Sequence, residues 1–220
     1  MTTTGIIVSI ITAIVSFLLG SIPCGVIVSK VFYGKDVRET GSGNIGFTNS
    51  LRSMGKAGGA AVFAGDFVKG LLAAALGMWL FPVFFKGSVP LCLNSAEFLS
   101  AVATLFATLG HIFSPWLGWK GGKGISTAFG ASFVSMNPLI ACGLFAAFLL
   151  VVIISKYVSA GSITAAVLFP IAGSIARPHS ALAVVCFAIV GVVVIWAHRE
   201  NFSRIIDGTE RKITDKKKVN

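Results

Sequence analysis

Apolar residues run through this chain in long blocks, and polar residues are largely confined to the gaps between them. The first block extends from about Gly5 to Phe32, and others cover about 57–85, 96–115, 124–136, 138–155, 158–176 and 180–197. Most approach or exceed the roughly 20 residues that a helix needs to cross a bilayer. Asn137-Pro138 and Arg177-Pro178 are turns between blocks. The pattern predicts an all-α polytopic membrane protein with seven transmembrane helices, forming one domain over residues 1–220. The fourth block, about 13 residues, is short of the crossing length. It is either a tilted span or continuous with its neighbour, so six spans is the alternative. The first block is too long for a signal-peptide core and has no basic residue before Lys30, so it is retained as a span.

Composition agrees. The 220 residues are 55% hydrophobic and only 12% charged, with a mean hydropathy of +0.88; a water-soluble fold of this size cannot hide that much apolar surface. The four cysteines (24, 92, 142 and 186) fall in separate apolar stretches and read as packing residues. The net charge of +10 points to topology, anionic headgroups or phosphorylated substrates rather than to nucleic acid. With the N-terminus outside, fifteen of the eighteen Lys and Arg fall on the inner side: Lys30, Lys35, Arg38, Arg52, Lys56, Lys120, Lys123, Lys156 and the seven from Arg199 onward. Lys86 and Arg177 fall outside, and Lys69 lies within the membrane. The positive-inside bias therefore predicts an outer N-terminus and a cytoplasmic C-terminus. The basic tail from about 201 to 220 reads as a partly disordered cytoplasmic end.

The inner loops carry the candidate chemistry. "ETGSGNIGFTNSLRSMGKAGG" (39–59), "GHIFSPWLGWKGGKGIST" (110–127) and "WAHRENFSRIIDGTE" (196–210) each combine small residues, amides and cations. Glycines let backbone N–H groups approach an anion, and a following helix start adds its positive dipole end. Two such loops each run into an apolar helix, with Arg52, Lys120 and Lys123 beside them. Gly41, Gly43 and Gly46 match a dinucleotide fingerprint, but no strand precedes them and no βαβ unit follows. A P-loop fails too, because Leu117 stands where glycine is required and Gly124 follows Lys123.

Asp66 and Lys69 share one helix face inside the second block, where charge is expensive. The pair either neutralises itself as a helix staple or serves the substrate. His111 and His198 stand at inner ends of the third and seventh blocks, either as interfacial structural residues or within the site. Neither a G-x-S-x-G elbow nor an H-E-x-x-H metal motif occurs, and the inner loops have too few acids for Mg²⁺. What remains is a chemistry of cations and hydrogen-bond donors without metal or covalent nucleophile. Acyl transfer from an already activated donor fits.

The runs "GSIPCG" (20–25), "GSGNIGFTNSLRSMG" (41–55), "GDFVKG" (65–70), "GHIFSPWLGWKGGKGIST" and "HRENFSRIIDGTE" resemble, in order and over nearly the whole chain, the bacterial acyl-phosphate-dependent glycerol-3-phosphate acyltransferases of the PlsY family. The resemblance implies a seven-span enzyme of the bacterial cytoplasmic (inner) membrane, with its site facing the cytoplasm. The reaction it implies joins a long-chain acyl phosphate to glycerol 3-phosphate, giving 1-acylglycerol 3-phosphate and phosphate without cofactor or metal. Ser42, Arg52 and Lys123 would hold phosphate, with backbone cradles at Gly41, Gly43, Gly121, Gly122 and Gly124 and Lys120 nearby. Asn44, Thr48 and Asn49 would donate to phosphate or the developing oxyanion, and His198 and Asn201 would position glycerol 3-phosphate. Asp66, Lys69 and His111 would support them, and the acyl tail would lie in an apolar groove open to membrane lipid. A substrate phosphate can take the proton, so no general base is required. Phe47, Ser114 and Phe202 depart from many relatives and bear on donor preference. Two other classes compete. A transporter of a phosphorylated small molecule should place polar groups near the midplane of repeated halves. A CDP-alcohol phosphotransferase should carry an aspartate cluster, whereas Asp66 stands alone.

Overall fold

In the computed structural model, which describes residues 3–80 and 96–215, helices form where the apolar blocks run and break where glycine, proline or asparagine interrupts them. Lys86, Cys92, Lys216, Lys217, Lys218 and the end of the second block lie outside the described residues. The first block is two helices, α1 (Thr3–Gly20) and α2 (Cys24–Tyr33), in one span interrupted over residues 21–23. Pro23 has no N–H and cannot continue the ladder, so carbonyls at the break need outside partners in lipid. The Ser114 hydroxyl donates to the Ser21 carbonyl at 2.8 Å and the Lys69 ammonium to the Ile22 carbonyl at 2.7 Å.

Helix α3 (Phe47–Ala75) ends in a π-helical turn over Leu76–Leu80. It begins ten residues before the expected block at 57, so the loop expected over 39–59 is short and Thr48, Asn49 and Arg52 are helical. Gly55 divides the helix at φ 77° and ψ −171°, a conformation open to glycine alone. Residues Phe47–Met54 thereby form a separate short arm, with Gly59 packed against the backbone of Leu51.

The remaining helices are α4 (Ala96–Ile112), α5 (Ile125–Ser135), α6 (Pro138–Ser155), α7 (Val158–Ala176), α8 (Ala181–Ala197) and α9 (Arg199–Ile206). Among the described residues there is no strand. Within the described residues, five helical stretches are long and apolar enough to cross a membrane, or six if α8 and α9, bent by 54°, count as one. The expected count of seven is not reached, because α5 has 11 residues. At 1.5 Å per residue it is about 16 Å long, half of a hydrocarbon core near 30 Å. The α5 helix is buried by close backbone packing instead. A Cβ on Gly130 would lie 2.0 Å from the Phe67 carbonyl oxygen, and one on Gly70 as close to that of Thr127. Small residues also bring α1 against α4, where Gly20 meets Ala107 and Gly110 meets Phe17.

Arg177, beyond α7, ties three elements together at one end of the bundle. It donates to the Ser135 carbonyl at 2.8 Å and to the Glu97 carboxylate at 3.0 Å. The tail also departs from expectation. Residues 199–206 are helical and residues 207–215 form an ordered strap, pinned where Ile213 N donates to the Lys156 carbonyl at 2.9 Å.

Candidate active site

At the end of the bundle opposite Arg177, a cavity of ≈ 760 Å³ opens among α3, α5, α6, α7, α9 and the strap. Its mouth is polar and its depth apolar. Gly41, Ser42, Asn44, Thr48, Asn49, Arg52, Asp66, His111, Lys123, Gly124, His198 and Asn201 all line it, so residues more than 150 positions apart in sequence meet at one surface.

The glycine loop is shaped by one amide. Asn49, in the first turn of α3 and buried, accepts from Ser42 N at 3.0 Å through Oδ1. Its Nδ2 donates to the carbonyls of Val37, Thr40 and Asn44 at 2.8–3.0 Å. A Cβ on Gly41 would lie 2.2 Å from Asn49 Oδ1, and Gly41 has φ 62°, so only glycine fits. Asn49 is thus committed to the backbone. Asn44 accepts from Gly46 N at 2.9 Å, which leaves its amide NH₂ as a donor. Thr48 and Arg52, one turn apart, project from the same face, and Arg52 reaches the strap at the Arg211 carbonyl, 3.5 Å away.

Lys123 enters from the loop before α5, and its ammonium donates to Asn201 Oδ1. Burial pushes its pKa down to about 8, against the pull of Glu210. Asn201 Nδ2 donates to Glu210 at 2.7 Å, and Glu210 also accepts from Ser159 Oγ and Arg204 Nε, both at 2.7 Å. Burial raises the Glu210 pKa, but these hydrogen bonds outweigh it and hold the group below its ordinary value. His198, at the bend between α8 and α9, is buried with Nδ1 2.8 Å from the Val194 carbonyl. A carbonyl can only accept, so Nδ1 carries a proton and Nε2 is the acceptor of the neutral ring.

Other expected positions lie off the cavity, Gly43 and Lys120 among them on the exposed surface. Gly43, Lys69, Lys120, Gly121 and Gly122 do not line it. The N–H groups of Gly121 and Gly122 donate to the carbonyls of Ile112 and His111 at 2.9 and 3.0 Å, and so face the end of α4. Gly122 packs on the His111 ring, where a Cβ would lie 2.1 Å from Nε2. Lys69 bridges Asp66 Oδ1 at 2.8 Å and the Ile22 carbonyl, while His111 Nδ1 stands 3.4 Å from the same carboxylate oxygen. Of the three residues expected to differ from many relatives, Phe47 lines the cavity, Ser114 is buried at the α1–α2 break and Phe202 is exposed.

Sequence reasoning missed Glu210, Arg204 and Ser159. The available signal was weak: Glu210 is one of four acids, with Glu200, Asp207 and Asp215, in a tail that carries seven Lys and Arg from Arg199 onward.

Comparison with known proteins bears on this arrangement. A family model described as glycerol-3-phosphate acyltransferase matches residues 10–208. The chain is 42% identical over 197 residues to a glycerol-3-phosphate acyltransferase of Trichlorobacter lovleyi, covering 90% of this chain and 93% of that one. It is 40% identical over 208 residues to one of Clostridioides difficile, covering 94% and 97%. The crystal structure of PlsY (YgiH), an integral membrane glycerol 3-phosphate acyltransferase, in its glycerol 3-phosphate form, is similar with a TM-score of 0.81 and 31% identity, over 93% of this chain and 95% of that one. Its lysophosphatidic acid form matches with a TM-score of 0.78 and 30% identity, over 93% and 94%.

Proposed function

The chain belongs to the PlsY family of glycerol-3-phosphate acyltransferases, and we propose that it moves an acyl group from a long-chain acyl phosphate to the sn-1 hydroxyl of glycerol 3-phosphate. The observation that carries this reading is the pairing of a cation-lined mouth with an apolar depth. Arg52, Lys123 and Arg204, from three separate elements, converge at the mouth. Phosphate is held there, and the acyl chain lies below among the phenylalanines of α3, α5 and α6.

The hydroxyl oxygen attacks the acyl carbonyl carbon, a new C–O bond forms, and the bond from that carbon to the phosphate oxygen breaks. The electron pair leaves with phosphate, a good leaving group from a mixed anhydride, and the hydroxyl proton passes to a substrate phosphate oxygen. Arg52 and Lys123 oppose the charge of the phosphates. Ser42, Thr48 and the Asn44 amide supply donors to phosphate or the transient oxyanion, and His198 and Asn201 orient the acceptor glycerol. Asn49 acts by shaping the glycine loop rather than by touching substrate. Asp66, Lys69 and His111 support the floor on which Lys123 stands.

Charge bias supports a cytoplasmic site in a bacterial inner membrane, with the N-terminus outside. That orientation needs an odd number of passes. The Arg177 tie at the far end of α5 supports counting this short helix as a seventh pass, starting from a recessed site. The transporter alternative gains no support, because the polar groups gather at one end of the bundle.

Purified protein in detergent, given palmitoyl phosphate and labelled glycerol 3-phosphate, should form 1-acylglycerol 3-phosphate with and without EDTA. Acyl-CoA or acyl carrier protein serving equally well would overturn the donor assignment.

A further inference from the structure

The apolar depth of the cavity has a built end. Helix α7 lines it with Ser159, Ser162, Ala165 and Phe169, spaced along one face, so the wall passes from small side chains to a full aromatic ring. Ser159, bonded to Glu210, marks the mouth. Phe169 lies ten residues farther along the helix, about 15 Å at 1.5 Å per residue. The Phe169 ring is 4% exposed and packs edge-on against Phe187 at 5.9 Å and 74°. Phe187 is 0% exposed and is wedged in turn on Gly173, where a Cβ would lie 2.3 Å from its ring. Leu144 of α6 is 7% exposed, lines the same depth, and belongs to the same buried cluster as Phe169 and Phe187. An interior packed this way has no slack to admit another methylene.

We propose that Phe169, with Leu144 beside it, is the ruler that sets the longest acyl group this enzyme accepts. The inference rests on the reading that the apolar depth holds the donor's acyl chain. Up to the wall, each added methylene leaves water for an apolar surface and raises kcat/KM about fourfold. At the wall the gain stops, because a longer chain must turn aside toward lipid past the partly exposed Phe145 and Leu149 of α6 or displace a ring that Phe187 backs.

The test uses the full-length protein in detergent with a series of saturated acyl phosphates, from decanoyl to arachidoyl, at saturating glycerol 3-phosphate. In wild type, kcat/KM should climb with chain length and then break. Phe169→Ala should move the break to longer chains by at least one step of the series. Ala165→Leu, which raises the wall one turn nearer the mouth, should move it to shorter chains and does not depend on opening the core. If Phe169→Ala does not accumulate in membranes, Ala165→Leu alone decides. Active variants that keep the wild-type break would overturn the ruler. A wild-type protein that acylates with none of the series would overturn the donor reading instead, so the two failures are distinct.

Discussion

Lys123, from the loop before α5, donates to Oδ1 of Asn201, 78 residues later on α9. The contact fixes which way the Asn201 amide points, because its Nδ2 must then serve Glu210. The cation proposed to meet substrate phosphate is thus held by an amide whose orientation is set by the strap.

The depressed pKa of Lys123 gives the enzyme a pH signature. Its ammonium is charged below about 8 and loses its proton as pH rises through that value. A bound phosphate favours the charged form, so affinity for glycerol 3-phosphate should fall above pH 8 by up to tenfold per unit. Steady-state KM for glycerol 3-phosphate from pH 7 to 9.5 checks this, and Lys123→Arg, which stays charged, should flatten the rise. A KM that is flat in wild type would refute it.

Arg52 should tolerate no conservative change. A planar guanidinium grips two phosphate oxygens, whereas lysine offers a single point charge. Arg52→Lys should lose about 2–4 kcal/mol of transition-state stabilisation in kcat/KM. Lys56→Ala, exposed just beyond the Gly55 break, should leave turnover within a factor of two. Kinetics normalised to membrane yield decide between them.

Asn49 serves four backbone groups at once, so its loss should collapse the glycine loop rather than remove one substrate contact. Asn49→Ala leaves those groups without partners, at about 1–3 kcal/mol for each that stays dry. Asn49→Asp keeps the acceptor for Ser42 N but sets carboxylate oxygens against three carbonyls, so it should not rescue. Both variants should fall at least 100-fold in kcat/KM and gain protease sensitivity near residues 40–46. An active Asn49→Asp would contradict this.

The strap should hold against acid. Hydrogen bonds from Asn201, Ser159 and Arg204 depress the Glu210 pKa, so the carboxylate's contribution is complete above the ordinary glutamate range and is lost as pH falls through its lowered value. Glu210→Gln should release the strap at neutral pH, raising KM for glycerol 3-phosphate several-fold and exposing 207–215 to proteolysis. Equal proteolysis of mutant and wild type would remove the strap from the argument.

Orientation can be read chemically. In a background without native cysteines, Asp207→Cys should react with an impermeant thiol reagent only from the cytoplasmic face, and His179→Cys only from outside. Both residues are exposed in the structure. Labelling of both from one face would contradict a membrane crossing by α8.

The blocks were legible because a bilayer imposes a long apolar run on whatever crosses it. Breaks inside blocks were less so. Pro23 was visible, yet only tertiary partners, Lys69 and Ser114, make a broken helix tolerable there. The start of α3 at Phe47 was hidden because its first turns carry the polar side chains that face the site, so function masks the helical pattern. Short α5 was visible as a deficit, but its burial against Phe67 depends on glycines whose packing partner no local pattern names. Near the cavity, Arg52, Lys123 and His198 stood out by residue type and predicted side of the membrane, whereas Ser42 and Asn201 came only from the family resemblance. Whether an amide such as Asn49 faces substrate or backbone is decided by atoms far apart in sequence. Glu210 was masked by the basic tail around it.

The strap and α9 come after every long helix in chain order. A ribosome therefore delivers the glycine loop, Arg52 and Lys123 to the membrane well before it delivers Asn201 and Glu210. Until those arrive, the Lys123 ammonium lacks its partner and the mouth has no far wall. A chain that stops before His198 lacks Asn201, Arg204 and Glu210 of the mouth, so incomplete translation products are expected to be inactive.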